Sequence, residues 1–202
     1  MVVLNKIYTR TGDAGETGVV TGERLAKTHP RIVAIGEVDE LNAAVGVALP
    51  HVAEDLRGTL LAIQNDLFDL GADLATPKTL QGELRLRPGR VERLEEAIDE
   101  VNDALPALES FVLPSGPGGA GPLHLARAVA RRAERAVWRI EQLPGDEAHL
   151  SAPVPQYLNR LSDFLFVAAR KASRDGGGEV LWVPGANEVG VGDEPGTEED
   201  AS

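Results

Sequence analysis

Apolar residues return at every third or fourth position through five stretches of the chain, the spacing of one face of an α-helix. Residues 30–49 put Val38, Leu41, Val45 and Leu49 on one stripe, and residues 53–75 put Leu56, Leu60, Ile63, Leu67, Leu70 and Leu74 on another. A third stretch, 88–108, opens on Pro88 and carries Val91, Leu94, Ile98, Val101 and Leu105, with Pro106 disturbing its end. The fourth, 122–143, follows Pro122 and ends before Pro144, and the fifth, 155–174, follows Pro153 and Pro155 and stops at Gly176-Gly177-Gly178. This pattern predicts an all-α fold, a five-helix bundle whose connections include 76–88 and 109–121. Hydrophobic residues are 43% of the chain but aromatics only 4%, a mixture that favours helix-on-helix packing over a β-sandwich.

Ahead of the first helix the periodicity disappears. "YTRTGDAGETGVVTGERLAK", from Tyr8 to Lys27, holds four glycines and four threonines and little that could enter a core. Glycines at 12, 15, 18 and 22 allow close approach of backbone N–H groups to a ligand, Thr9, Thr11, Thr17 and Thr21 add hydroxyls, and Lys27 adds a point charge. Such a segment suits a polyphosphate, and it equally suits a flexible surface arm or hairpin. It matches neither the P-loop spacing nor a dinucleotide fingerprint.

Charge sharpens the picture. The formal charge is -12 over 202 residues, but residues 1–175 hold 25 acids against 20 bases, and the seven acids after Asp175 meet no Lys or Arg. Residues 185–202 therefore read as an acidic, disordered tail on a domain spanning 1–184. No basic stripe interleaved with aromatics suggests nucleic-acid binding. No apolar stretch is long enough to cross a bilayer, and the N-terminus carries no signal core, so the expectation is a soluble, cytoplasmic protein with no membrane partner. Cysteine is absent, which excludes thiolate chemistry. The four histidines lack metal-ligand spacing and no Glu-x-x-His pair occurs, which disfavours a di-iron bundle.

Two helical stretches carry charge where solvated faces would suffice. In "LHLARAVARRAERAVWRI", Arg127, Arg131 and Glu134 recur at four and three, with Arg132 and Arg135 adjoining. The face is either a salt-bridged surface or a set of guanidiniums converging on phosphates. In "YLNRLSDFLFVAAR", Leu158, Leu161, Leu165 and Ala169 form the core stripe, while Asn159, Asp163, Phe166 and Arg170 occupy another face. In "GEVDELNAAVG", Asp39 and Asn42 are helix neighbours, with Glu40 beside them.

In chain order, "IYTRTGDAGETGVVTGERLAK", "GEVDELNAAVG", "IQNDLFDLGADLATP", "FVLPSG", "LHLARAVARRAER" and "YLNRLSDFLFVAAR" resemble the PduO-type ATP:cob(I)alamin adenosyltransferases, covering roughly residues 6–183. The resemblance implies a homotrimer of five-helix bundles with active sites between subunits, transferring the 5′-deoxyadenosyl group of ATP to a reduced corrinoid and releasing triphosphate. It assigns ATP binding to Thr9, Arg10, Thr11, Gly12, Asp13, Gly15, Thr17 and Lys27 of a phosphate-binding arm, residues 1–29, and to Arg131, Arg132, Ala133, Glu134, Arg135 and Asn159. Lys27, Arg131, Arg132 and Mg²⁺ would stabilise the leaving group, with the metal's ligands left open. Phe111 matches the apolar residue that keeps the corrinoid's lower face unliganded, Asp39 and Arg127 match an intersubunit ion pair, and Trp182 is placed to close over the site. A reductase and an adenosylcobalamin-dependent enzyme fit as further partners. A non-catalytic nucleotide- or corrinoid-delivery module is the alternative.

Overall fold

A computed structural model describes residues 7–76, 80 and 84–186. Five α-helices dominate: α1 (Pro30–Ala48), α2 (Glu54–Ala75), α3 (Gly89–Asp103), α4 (Ala120–Trp138) and α5 (Pro153–Asp175). Ahead of them, β1 (Glu16–Gly18) and β2 (Arg24–Ala26) form an antiparallel hairpin with Thr17 opposite Leu25. The expected all-α chain therefore gains a small two-stranded sheet, confined to the segment in which helical periodicity is missing. The tail from residue 187 lies outside the described residues.

Local sequence explains most helix ends. His29 caps α1 by accepting a hydrogen bond from the Arg31 amide at Nδ1, and Pro30 fills the first helical position, where no N–H is needed. Pro122 falls in the first turn of α4 instead of preceding it, because the helix begins at Ala120 and an imide nitrogen there forfeits no helical bond. The stretch predicted to continue to 143 leaves α-geometry at Trp138 and tightens into a 3₁₀ turn, Arg139–Gln142, ahead of Pro144. α3 ends at Asp103, five residues short of the predicted boundary. Pro106 disfavours helical backbone at Leu105, whose amide instead turns back to the Asn102 carbonyl at 2.9 Å.

In the bundle α4 lies between α1 and α5, α2 packs on the outer side of α1, and α3 packs on α5. The predicted stripes on α2 and α5 are buried throughout, and Tyr157 and Phe164 are the largest side chains with no solvent contact. Tyr157 donates from its hydroxyl to Asp66 Oδ2 at 3.1 Å, while Arg90 Nη1 stands 2.9 Å from Asp66 Oδ1, joining α5, α2 and α3. The Arg90 contact lacks hydrogen-bond geometry and acts as a Coulombic pairing. Burial raises the Asp66 carboxyl above its ordinary value, with Arg90 opposing. Arg31, also buried, caps the end of α2 by donating to the Leu74 carbonyl at 2.7 Å, where a cation complements the helix dipole. Among the described residues, no helix is long and apolar enough to cross a membrane.

Candidate functional site

The glycine- and threonine-rich segment folds by hydrogen-bonding to itself. The Lys27 amide donates to the Gly15 carbonyl at 2.8 Å, the Gly15 amide donates to the Gly12 carbonyl at 3.2 Å, and Arg24 Nη2 reaches the Thr11 carbonyl at 2.6 Å. The hydroxyls of Thr9 and Thr11 lie 2.9 Å apart. A Cβ built on Gly12 would sit 3.3 Å from both Lys27 Nζ and the Glu16 carbonyl oxygen, so a side chain there would crowd the ammonium and the loop backbone. Arg10 holds φ 60, the one positive value among described non-glycine residues, and its guanidinium covers Tyr8 at 5.6 Å. The side chains of Thr9, Arg10, Thr11 and Asp13 are exposed, Thr17 is half-buried, and Lys27 and Gly15 face solvent.

On α4 the arginine block splits by face. Ala133 is fully buried in the core, so its side chain is turned from any ligand, while Arg131 and Arg135 are exposed. Arg132 points back to α1: its Nε donates to Glu37 Oε2 at 2.5 Å and its Nη2 to Glu40 Oε2. Those two carboxylates push its pKa further above an already high value. The charge expected to meet a nucleotide is thus already balanced within the chain. Arg135 Nη1 donates to the Arg131 carbonyl at 3.0 Å, and the Arg131 guanidinium has no partner among the described residues. Glu134 accepts from Asn159 Nδ2 of α5 at 3.3 Å. Both line a cleft of about 400 Å³ together with Trp138, Leu150 and Pro155.

A second cluster stands on the α4–α5 surface nearer the start of α4. The Arg127 guanidinium lies 5.3 Å from the Phe166 ring centre, and His124 packs on the same ring at 6.3 Å. His124 is buried with Nε2 unpartnered, and desolvation, helped by Arg127 and opposed by Glu179, holds its pKa below the ordinary value. Asp39 is exposed on α1 and makes no ion pair with Arg127 in this chain. Phe111, in the connection before α4, is 77% exposed and packs at 6.1 Å and 58° on Trp182.

The structure therefore brings Lys27 to Gly12, Glu134 to Asn159, and Phe111 to Trp182. It does not bring the hairpin to α4: among the described residues no hydrogen bond or ion pair joins Thr9–Lys27 to that helix. Sequence reasoning missed Glu37 as the partner of Arg132, although Glu37 and Glu40 lie near a helical turn apart and two acids so placed can grip one guanidinium. It set Arg170 on the face of α5 shared with Asn159, Asp163 and Phe166, but did not register that this side chain is 3% exposed and pairs with Glu179 at 2.7 Å. A guanidinium reaches a buried partner along an apolar stem, which helical spacing does not register.

Comparison with known proteins gives this arrangement a setting. The sequence profile described as cobalamin adenosyltransferase matches residues 7–172. A cobalamin adenosyltransferase of Cupriavidus metallidurans is 50% identical over 182 residues, spanning 89% of this chain and 95% of the relative. A corrinoid adenosyltransferase of Mycobacterium leprae is 49% identical over 191 residues, spanning 90% and 97%. Among solved structures, a variant of the PduO-type ATP:corrinoid adenosyltransferase from Lactobacillus reuteri, complexed with cobalamin and ATP, superposes with a TM-score of 0.81 at 37% identity, covering 88% of this chain and 99% of that one. The matched span takes in the hairpin, α1 to α4 and nearly all of α5, and the chain belongs to the cobalamin adenosyltransferase family.

Proposed function

We propose that the protein transfers the 5′-deoxyadenosyl group of ATP to the cobalt of a reduced corrinoid and releases triphosphate. Co(I) of the substrate donates its electron pair to C5′, the Co–C bond forms as the C5′–O bond breaks, and the triphosphate leaves with that bond's electrons. The protein contributes no nucleophile and no general base. Its work is to hold C5′ in line with cobalt and to stabilise the charge that grows on the departing phosphates.

The observation that carries this reading is the exposed guanidinium of Arg131, without a partner among the described residues, on the helix whose Glu134 bonds Asn159. Because Arg132 is committed to Glu37 and Glu40, Arg131 and Lys27 carry the interaction with the triphosphate, and Arg132 fixes α4 against α1. Thr9, Arg10, Thr11, Gly12, Asp13, Gly15 and Thr17 supply backbone amides and hydroxyls around the phosphates, and Asn159 and Glu134 orient the nucleoside end in the cleft. Among the described residues no hydrogen bond or ion pair links the hairpin to α4, which supports a homotrimer in which the arm of one copy closes on α4 of the next. Val47, Leu61, Phe68 and Leu125 are exposed apolar surface that such copies would cover. In the same assembly Asp39 of one copy pairs with Arg127 of another. Phe111 shields the lower face of the corrinoid.

Mg²⁺ enters with the nucleotide as its phosphate complex. Among the described residues no three His, Asp or Glu side chains converge on a metal position.

The test is an anaerobic reaction of Co(I) corrinoid with Mg-ATP. Adenosylated corrinoid and triphosphate in equal amounts are expected. Release of phosphate or diphosphate counts against the reading, and binding of both ligands without turnover assigns the protein to delivery instead.

A further inference from the structure

A buried ion pair ties the segment after α5 to the helical body. Arg170 Nε donates to Glu179 Oε1 at 2.7 Å and Nη2 to Glu179 Oε2 at 3.3 Å, and Nη2 also donates to the Pro106 carbonyl at 2.9 Å. The two side chains are 4% and 9% exposed. One guanidinium thus joins three segments: α5, the start of the connection before α4, and the chain beyond α5. A pair so deeply desolvated adds little net stability, and its contribution is a fixed arrangement of the segments it joins.

Immediately beyond Glu179 the chain forms a short ladder with the Phe111 segment. The Leu113 amide donates to the Val180 carbonyl at 2.9 Å, Val112 bridges Leu181, and the Trp182 amide donates to the Phe111 carbonyl at 2.7 Å. Ser110 Oγ donates to the Trp182 carbonyl at 2.8 Å. Val180, Leu181, Trp182 and Val183 are all exposed, so the ladder has almost no core of its own. Among the described residues, Glu179 is the one side chain after α5 that bonds the ladder to the helices, beside the backbone bonds that end α5, from the Gly176 and Gly177 amides and from the Gly178 amide to the Ser173 carbonyl at 2.8 Å.

We infer that Arg170 and Glu179 are positioning residues for adenosyl transfer: their ion pair sets the place of the Phe111–Trp182 aromatic pair against the corrinoid. This rests on the proposed role of Phe111. Neither residue touches substrate. They act through the backbone ladder, and a displacement of an ångström at Phe111 is enough to lower turnover by up to about 100-fold.

Glu179→Ala, Glu179→Asp and Phe111→Ala are compared with the unaltered protein by amide hydrogen exchange and by the Co(II) corrinoid spectrum in the presence of ATP. Steady-state kinetics complete the set. Glu179→Ala is expected to speed exchange at the Leu113 and Trp182 amides by tenfold or more, on the order of what loss of one fixing contact allows. It should lower the four-coordinate Co(II) fraction and reduce kcat, with the KM for ATP within about twofold, because the pair makes no nucleotide contact. Glu179→Asp keeps the charge, leaves Arg170 paired at longer reach and should give an intermediate spectrum. If Glu179→Ala does not fold, Glu179→Asp decides, and an unchanged spectrum in it refutes the inference. A changed spectrum in Phe111→Ala with an unchanged one in folded Glu179→Ala refutes the positioning pair and leaves the role of Phe111 standing. Unchanged spectra in both overturn both.

Discussion

Asn159 Nδ2 donates to Glu134 Oε1 at 3.3 Å, so α5 holds the acid that interrupts the arginine block of α4. With Glu134 fixed from that side and Arg132 drawn to Glu37 and Glu40, Arg131 and Arg135 have no carboxylate partner among the described residues, and of the two only Arg131 makes no hydrogen bond through its guanidinium. Arg131→Ala should lower kcat/KM for ATP by about 100- to 1,000-fold, the usual cost of deleting one donor to a developing negative charge. Its thermal unfolding without ligand should stay within a degree or two, since the side chain is exposed and unpaired. The ATP-dependent rise in unfolding temperature should shrink in parallel. An unimpaired ATP response would remove Arg131 from the site.

Phe111→Ala separates the two substrates. The ring is 77% exposed and packs only on Trp182 among the described aromatics, so its loss should not disturb folding or the ATP-dependent thermal shift. The four-coordinate Co(II) signal formed with ATP bound should fall, with turnover falling alongside it. A signal that persists in this variant would refute the shielding role of Phe111.

The helices are legible from apolar stripes at helical spacing: on α2, Leu56, Leu60, Ile63, Leu67, Leu70 and Leu74 are all within 2% of full burial, while α3 buries only Val91 and Leu94 of its stripe. The site was less so. Arg131 and Arg132 are adjacent and chemically identical, yet one faces solvent and the other two carboxylates, a difference set by which helix packs against α4. Helical period places both near one face and cannot choose between them. The burial of Arg170 is hidden for a related reason: its partner Glu179 lies beyond the end of α5, in a segment whose path depends on tertiary contacts. The hairpin was invisible to hydrophobic patterning because its strands have only three residues each and a single half-buried position apiece.

Gly116 tests how tightly the connection before α4 is seated. It adopts φ 140, and a Cβ there would collide with Ser173 Oγ on α5. Gly116→Ala should destabilise the fold by about 1–3 kcal/mol, through backbone strain and the clash together. Ser173 Oγ is buried without a hydrogen-bond partner, so Ser173→Ala alone should be close to neutral. In the double variant the clash is relieved and the strain remains, so part of the loss should return. Chemical denaturation of the four proteins measures that coupling. Strict additivity would show that the two residues do not meet in solution.

His124 makes the protein's stability depend on pH in a predictable direction. Its ring is buried against Phe166, Nε2 has no partner, and desolvation and the Arg127 charge both oppose protonation, with Glu179 pulling weakly the other way. The folded pKa therefore lies below the unfolded value of 6.5, and in the interval between them the unfolded chain binds more protons. Stability from this group is full above the unfolded value and is lost as pH falls through the folded one. One such group can contribute a slope of at most about 1.4 kcal/mol per pH unit. Asp66 acts in the opposite sense and begins at more acidic pH: its pKa is raised above 3.8, so its ionisation as pH rises from there costs stability. Denaturation between pH 7.5 and 5 should show stability declining toward acid, and His124→Leu should flatten that decline while Asp66→Asn leaves the His124 component in place. A slope unchanged by His124→Leu would mean that the imidazole is solvated or protonated in the folded protein, contrary to a ring buried against Phe166 whose pKa desolvation and Arg127 lower.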